Sequence, residues 1–251
     1  MNSSLDSSLK KNTAFIKRLR TGITASALPT FLSDIRTLSL HKYLSEIISA
    51  CYEGLCKLKS PGEVAAGVEI VSALHQRFGP DEFTQQIGWL LGRGLSSPDK
   101  SQLKALSQEV REREERERLS RHRVLLKVVT ELWLVGVLRT LDDIEKPDDV
   151  GAKSRDGAAG KTGEALSRSR QAAAAKADPD RETDPFPLEV LKDLLGYDRE
   201  HVNLPLAVIF VKSFSWDVLG VKPAEEGRKT VNAEGGTAAD TAAAPTAGEG
   251  E

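Results

Sequence analysis

Histidine and cysteine side chains are the residues of this sequence best suited to proton transfer, nucleophilic attack or metal binding. They are His41, His75, His122, His201, Cys51 and Cys56. The histidines lie in separate segments with no spacing typical of metal ligands, and the two cysteines do not match the Cys-x-x-Cys spacing of metal and redox sites. We therefore predict no catalytic residue, no metal site and no cofactor, and we expect both cysteines to be reduced thiols.

A Gly-Lys-Thr run within "GAAGKTGE", residues 157–164, resembles part of a phosphate-binding loop. Such a loop must follow a buried strand and begin a helix, because its backbone amides surround the phosphates. Here the run lies in a segment of Gly, Ala and charged residues, with no strand pattern before it. We interpret the match as chance. The sequence also lacks a Gly-x-Ser-x-Gly motif, and we predict a binding or scaffold protein that is not an enzyme and has no small-molecule substrate.

The overall charge gives little attraction for nucleic acid. The chain has 251 residues and a formal net charge of -2, and 5% of its residues are aromatic. Any RNA contact must therefore come from a local basic patch, and base stacking is disfavoured because aromatic side chains are few. No apolar run reaches the roughly 20 residues that cross a bilayer, so we expect no membrane association.

One local basic patch lies in "LKKNTAFIKRLR", residues 9–20. A helical stripe of apolar residues is predicted to be buried, and the basic residues are predicted to point outward. The stripe comprises Leu5, Leu9, Ile16, Leu19 and Ile23, and the basic residues are Lys10, Lys11, Lys17 and Arg18. These four form the candidate RNA or partner surface, with a simple solvated face as the alternative. A mitochondrial presequence is disfavoured because Asp6 is acidic.

Helical periodicity continues along most of the chain. Ser60, Pro61 and Glu63 form a predicted capping box at a helix start, and His75 is expected to have a structural role near the end of that helix. The charged run "REREERERLSRHR", residues 111–123, is predicted to protrude as a solvated helix with i,i+4 ion pairs. Apolar residues further on are predicted to pack against residues 208–214. They are Leu132, Leu134, Val135 and Leu138.

The domain boundaries are predicted from the segments that contain few apolar residues. Residues 5–221 are predicted to form one helical domain, interrupted by a disordered insertion at 142–184 and followed by a disordered tail at 222–251. Both segments lack the apolar side chains needed to offset the entropy of ordering. Within the domain, helix pairs recur about every 35 to 45 residues, which is typical of helical repeat proteins.

Four blocks of the sequence resemble a known family. "LDSSLKKNTAFIKRLR", "LSLHKYLSEI", "ALHQRF" and "ELWLVGVLRTL" are similar to the first helical domain of the second up-frameshift proteins, or regulators of nonsense transcripts two. The resemblance implies an all-α fold of the MIF4G and HEAT-like type, a right-handed stack of antiparallel helix pairs. It also implies a non-catalytic adaptor of nonsense-mediated mRNA decay that binds mRNA decay factors in the cytoplasm, including the perinuclear region.

The same resemblance limits what is expected of this chain. Members of the family have three such domains, the third of which binds the third up-frameshift protein, and a C-terminal segment that binds the up-frameshift helicase. We expect the chain to stop before both regions, so that helicase binding does not carry over to it. The alternative to the adaptor role is a general RNA-binding or translation-factor-like helical module that binds RNA weakly and non-specifically through its basic faces.

Overall fold

The computed structural model describes residues 5–96, 106–144, 184–196 and 198–220. Within these ranges the fold is all-α, as predicted, with one isolated bridge between Asp6 and Leu38. The α-helices are α1 (Leu9–Thr21), α2 (Leu28–Thr37), α3 (Leu44–Leu55), α4 (Pro61–Gly79), α5 (Gln85–Leu95), α6 (Gln108–Leu134), α7 (Phe186–Gly196) and α8 (Leu204–Leu219). Short 3-10 turns span His41–Tyr43 and Leu141–Asp143, and a π-helical segment spans Pro80–Thr84.

The helices form a stack in which each packs against the helix two places further along the chain. Thus α1 contacts α3, α2 contacts α4, α3 contacts α5, and the same relation continues to α6 and α8. Helix α6 also contacts α4, α5 and α7, so it lies at the centre of the second half of the stack. This stepwise arrangement is typical of helical repeats, in which each unit buries its apolar side against its neighbours.

Helix α1 is amphipathic, but its buried side differs from the predicted one. Phe15 and Leu19 are fully buried, whereas Leu5 and Leu9 are exposed. Leu5 lies before α1 and Leu9 is its first residue, so the predicted stripe begins outside the packed part of the helix. The larger side chain of Phe15 is buried instead, edge-on to the ring of Phe31 at a centroid distance of 6.0 Å.

The predicted start of α4 is confirmed. The Ser60 side chain accepts a hydrogen bond from the Glu63 amide at 3.3 Å, and the Glu63 carboxylate accepts one from the Ser60 amide at 3.2 Å. Pro61 occupies the first helical turn, where its missing N–H costs nothing. This reciprocal capping satisfies donors that a helix start otherwise leaves unpaired.

The end of α4 is tied to its neighbours by polar side chains. Gly79, with φ of 80°, turns the chain into the π-helical segment. His75 Nδ1 lies 2.6 Å from Thr84 Oγ1 in that segment, which agrees with the structural role predicted for this histidine. Arg77 donates to the backbone carbonyls of Ile35 and Leu38 at the end of α2. The junction therefore fastens α4 to α2 and to the π-helical segment that precedes α5.

The predicted contact between the end of α6 and residues 208–214 has the wrong register. Leu132 and Leu138 are buried, but Leu134 and Val135 are 46% and 56% exposed. Helix α6 ends at Leu134, and Gly136 has φ of 75°, so the chain turns back at this point. The Val137 amide then donates to the Leu132 carbonyl at 2.9 Å, which returns the following residues to the core and leaves the turn itself in solvent.

Helix α8 is also rotated relative to the prediction. Leu206 and Phe210 are buried, while Val208 and Val211 are exposed. Because α8 carries apolar residues on every side, periodicity alone does not select the buried one. The segments predicted to be disordered, 142–184 and 222–251, fall almost entirely outside the described residues. Ile144, however, is 6% exposed and belongs to the core.

Candidate functional site

The four candidate residues of α1, Lys10, Lys11, Lys17 and Arg18, do not form one free patch. Lys10 and Lys17 are exposed, and within the described ranges neither makes an ion pair. Lys11 pairs with Asp6, with Nζ 2.6 Å from Oδ2. The hydrogen bond from Lys11, followed by one from the Ser8 amide, lowers the pKa of Asp6, and the bond to Asp6 raises the pKa of Lys11.

Arg18 does not point outward as predicted. Its guanidinium pairs with Asp34 of α2 and lies over the Phe31 ring, 5.6 Å from the centroid. The arginine therefore joins α1 to α2 through a charge pair and a cation–π contact. Two residues further on, Arg20 pairs with Glu53 of α3 at 2.9 Å. Much of the positive charge of α1 is thus neutralised by contacts inside the stack.

What remains for a partner or RNA on α1 is the pair Lys10 and Lys17. Seven residues separate them, or about 10.5 Å along the helix axis. Two isolated cations at that spacing contact few phosphates, and the side chain of Leu9 beside them is 66% exposed. This surface suits weak electrostatic contact better than tight RNA binding, which requires many neutralised phosphates.

The charged run of α6 contains a buried polar cluster that was not predicted from the sequence. Arg118 Nη1 donates to Asn203 Oδ1 at 2.8 Å, and Asn203 Nδ2 donates to the Leu194 carbonyl at 2.8 Å. Asp198 accepts hydrogen bonds from the backbone amides of Val202 and Asn203. Part of the run predicted to protrude is therefore buried, and it joins α6 to α7 and α8.

His122 completes this cluster. Arg118 Nη1 lies 3.5 Å from its Nδ1. Burial, and then the neighbouring charges of Arg118 and Arg121, lower the pKa of His122 to about 3. The ring is therefore neutral at physiological pH and suited to accept from the guanidinium. No signal in the sequence separates Arg118 and His122 from their solvated neighbours, because their partners lie on distant helices.

The predicted i,i+4 ion pairs of the charged run are not the ones formed within the described residues. Arg118 lies 3.8 Å from Glu115, and the Arg116 Nε donates to the backbone carbonyl of Glu112. The first contact joins side chains one helical turn apart, and the second joins a side chain to the main chain of the same helix. They are weaker than aligned side-chain pairs, and they leave the outer side of α6 solvated.

The remaining reactive residues are buried or isolated. Burial raises the pKa of the Cys51 thiol to about 12 and also raises that of Cys56, so neither is activated as a nucleophile. Across residues 5–96, 106–144, 184–196 and 198–220, no group of three His, Cys, Asp or Glu side chains is placed to hold a metal ion. None of the described helices is long and apolar enough to cross a membrane.

Comparison with known proteins gives several relatives, although no protein-family model matches the chain. Over 147 residues the chain is 45% identical to "Nonsense-mediated mRNA decay protein 2" of Saccharomyces cerevisiae, a match that covers 58% of this chain and 13% of the relative. Over 135 residues it is 32% identical to "Regulator of nonsense transcripts 2" of Homo sapiens, covering 54% of this chain and 9% of the relative. The chain thus spans a small part of the curated relatives that it matches.

A solved structure supports the same assignment. It is the N-terminal mIF4G domain of S. cerevisiae Upf2, a protein involved in the degradation of mRNAs containing premature stop codons. The TM-score is 0.62 at 35% identity, and the match covers 84% of this chain and 59% of that one. On these identities and on the shared all-α architecture, the chain is similar to Upf2 proteins, and its described residues have the fold of an mIF4G-type domain.

Proposed function

We propose that this chain is a non-catalytic adaptor module of nonsense-mediated mRNA decay, which binds other decay factors in the cytoplasm. The observation that carries the proposal is its likeness, at 35% identity, to the mIF4G domain of a protein that acts in the degradation of mRNAs with premature stop codons. The internal roles of its polar side chains support an adaptor. Arg18, Arg77 and Arg118 each join two helices, so these side chains are used inside the fold and the outer helix surfaces are left for partners.

A reporter transcript tests this role in the organism that carries the gene. Removing the gene should raise the steady-state level of a transcript with a premature stop codon, relative to the same transcript without it. Restoring the full chain should return the ratio to its original value. An unchanged ratio after removal of the gene would contradict a role in decay.

RNA binding by the basic residues of α1 is the second candidate, and the exposure of Lys10 and Lys17 favours it. Reversing both to glutamate leaves the fold intact because their side chains lie in solvent. If both contact single-stranded RNA, the slope of log affinity against log salt should fall by about 1.4 units, or 0.7 per phosphate contact.

The partner interaction should survive that reversal. We expect K10E/K17E to keep its association with decay factors in nuclease-treated extract, because apolar contacts supply most of the energy of such surfaces. A control double variant, S45E/S49E, changes exposed residues of α3. Loss of partner recovery with unchanged RNA affinity would contradict the assignment of RNA contact to α1.

A further inference from the structure

A groove runs between the start of α4, the middle of α6 and one side of α8. It encloses about 290 Å³. Its lining comes from residues 59–64 at the start of α4, from residues 123–127 of α6 and from residues 206–214 of α8. The volume is near the lower end of the roughly 300–1,000 Å³ typical of ligand pockets. It therefore has room for one or two side chains of a partner, but not for a large cofactor.

The floor of the groove is apolar. Val64, Leu126, Leu206 and Phe210 line it while being almost completely buried, so only their edges face the groove. Ile209, which is 36% exposed, forms part of the α8 wall. An aliphatic side chain placed here would lose its contact with water and gain contacts with the core.

The rim of the groove is basic. Lys59 and Arg123 are exposed, and within the described ranges neither has a carboxylate at ion-pair distance. The nearest acidic group in sequence, Glu63, is engaged by the amides of Lys59 and Ser60 in the capping box. The positive end of the α4 dipole adds to the same sign of potential. Lys127, the third cation, lies 3.7 Å from Glu131.

We propose that this groove docks an acidic segment of a partner protein that carries one or two aliphatic anchor residues between carboxylates. The anchors fill the apolar floor, and the carboxylates pair with Lys59 and Arg123 on the rim. The proposal deepens the adaptor function proposed above, because it names the chemistry of one partner. Charge complementarity of this kind selects partners and speeds their encounter.

RNA does not fit the groove as well as an acidic peptide does. Sequence-tolerant RNA binding uses exposed aromatic faces on which bases stack. Phe210 in the floor is 2% exposed. The other aromatic residue of the lining, Phe214, is partly buried, and its ring packs against that of Phe210 with the centroids 5.8 Å apart. A base would therefore find little free aromatic face on which to stack. Leucine or isoleucine side chains match the same surface in shape and polarity.

The probe is a short fluorescein-labelled peptide in which two leucines, four residues apart, are flanked by glutamates. Its affinity for the full chain is measured by fluorescence anisotropy at several salt concentrations. The double variant K59E/R123E should weaken binding about tenfold or more, because attraction at the rim becomes repulsion. Ser213→Trp places a large side chain from α8 into the groove and should cause a similar loss.

Two matched control variants show whether a loss of peptide affinity comes from the groove. K10E/K17E makes the same charge change on α1, and Lys212→Glu changes an exposed α8 residue that does not line the groove. Both should leave the peptide affinity within about twofold of the unchanged chain. Thermal melting followed by circular dichroism shows whether each variant is still folded, so that a loss of peptide affinity can be assigned to the groove. If Ser213→Trp does not fold, K59E/R123E still tests the proposal.

Three results would overturn the proposal. They are no saturable binding of the acidic peptide, equal binding of a peptide with lysines in place of the glutamates, and loss of RNA affinity in K59E/R123E without loss of peptide affinity. A dimer that K59E/R123E dissociates would assign the groove to a second copy of the chain instead. The peptide is tested in vitro without decay factors, so a peptide that does not bind would contradict the groove proposal but not the role in decay. An unchanged reporter ratio would contradict the role in decay but not peptide binding by the groove.

Discussion

The two ends of the helical stack present different surfaces. At the α1 end the apolar side chains of Phe15 and Leu19 are fully buried, and Lys11, Arg18 and Arg20 pair with acidic neighbours. At the α8 end, large apolar side chains remain exposed. They are Leu204, Val208, Ile209, Val211, Trp216 and Leu219. Repeat proteins need polar outer faces on their terminal units. Among the described residues, the α1 end is the more polar of the two, with Leu5 and Leu9 as its exposed large apolar side chains.

The ends also differ in how they are attached to the rest of the stack. Helix α1 approaches α3 so closely that a Cβ added to Gly54 would lie 2.0 Å from the Leu19 carbonyl oxygen. Helix α8 is held to α6 by the polar contact of Arg118 with Asn203 as well as by Leu206 and Phe210. A tightly packed, charge-paired α1 end suits a cap. An apolar, groove-bearing α8 end suits interaction with a partner.

The largest expected effect is at the α8 end. Phe210→Ala should lower the free energy of unfolding by about 3–5 kcal/mol, because it removes a buried aromatic side chain and leaves a cavity. Val208→Ala, two residues away on the exposed side, should change it by less than about 0.5 kcal/mol. Chemical denaturation measures both. Similar losses for the two variants would mean that α8 has a different rotation.

The pH dependence of stability should also come from the α8 end. The pKa of His122 is lowered to about 3 in the folded chain, whereas an unfolded histidine has a pKa of about 6.5. The unfolded state therefore binds more protons between these values, and stability falls as the pH falls through this window. At pH 4.5 the loss should be about 2 kcal/mol, and His122→Gln should remove it. A flat stability profile between pH 7 and pH 4.5 would contradict the burial of this ring.

A glycine substitution tests the close packing of the α1 end. Gly54→Ala should destabilise the fold by about 1–3 kcal/mol, because the added methyl group meets the α1 backbone and forces the helices apart. Gly62→Ala, also within a helix, meets only the Ala25 Cβ at 3.9 Å and is the matched control. Its stability should be unchanged or slightly higher, since alanine favours helix. Thermal melting of both variants compares them directly.

The smallest expected effect separates the paired from the free cations of α1. Arg18→Ala should cost about 1 kcal/mol, because it removes the contact with Asp34 and the cation–π contact with Phe31. Lys17→Ala should have almost no effect on the free energy of unfolding, since its side chain is solvated and unpaired within the described residues. Equal effects of the two substitutions would show that the α1 end is not organised by charge pairing.

Local patterns predicted much of the fold. The capping box of Ser60 and Glu63 and the first-turn position of Pro61 follow from chemistry within a few residues, and the structure confirms them. The basic surface on α1 was predicted only in part. Lys10 and Lys17 are exposed and make no ion pair within the described residues, but Arg18 is held by Asp34, sixteen residues further along the chain. Helical spacing alone does not reveal that partner.

The groove was not predicted because three separate segments build it. Lys59, Arg123 and Ile209 come from the start of α4, from α6 and from α8. In the sequence, each of them resembles an ordinary surface residue of a helix. Only the packing of α8 on α6 places an apolar wall beside two cations that have no ion pair within the described residues.

The amino-acid sequence by itself determined most of the helices, the capping box of α4 and the family resemblance, because these depend on residue types at short spacing. Tertiary structure decided which side of α8 is buried and which charged residues of α6 leave the solvent. Arg118 and its partner Asn203 lie 85 residues apart, and a guanidinium is buried only where a distant acceptor meets it. An apolar helix has several possible inner faces, and the contacts made by its neighbours select one.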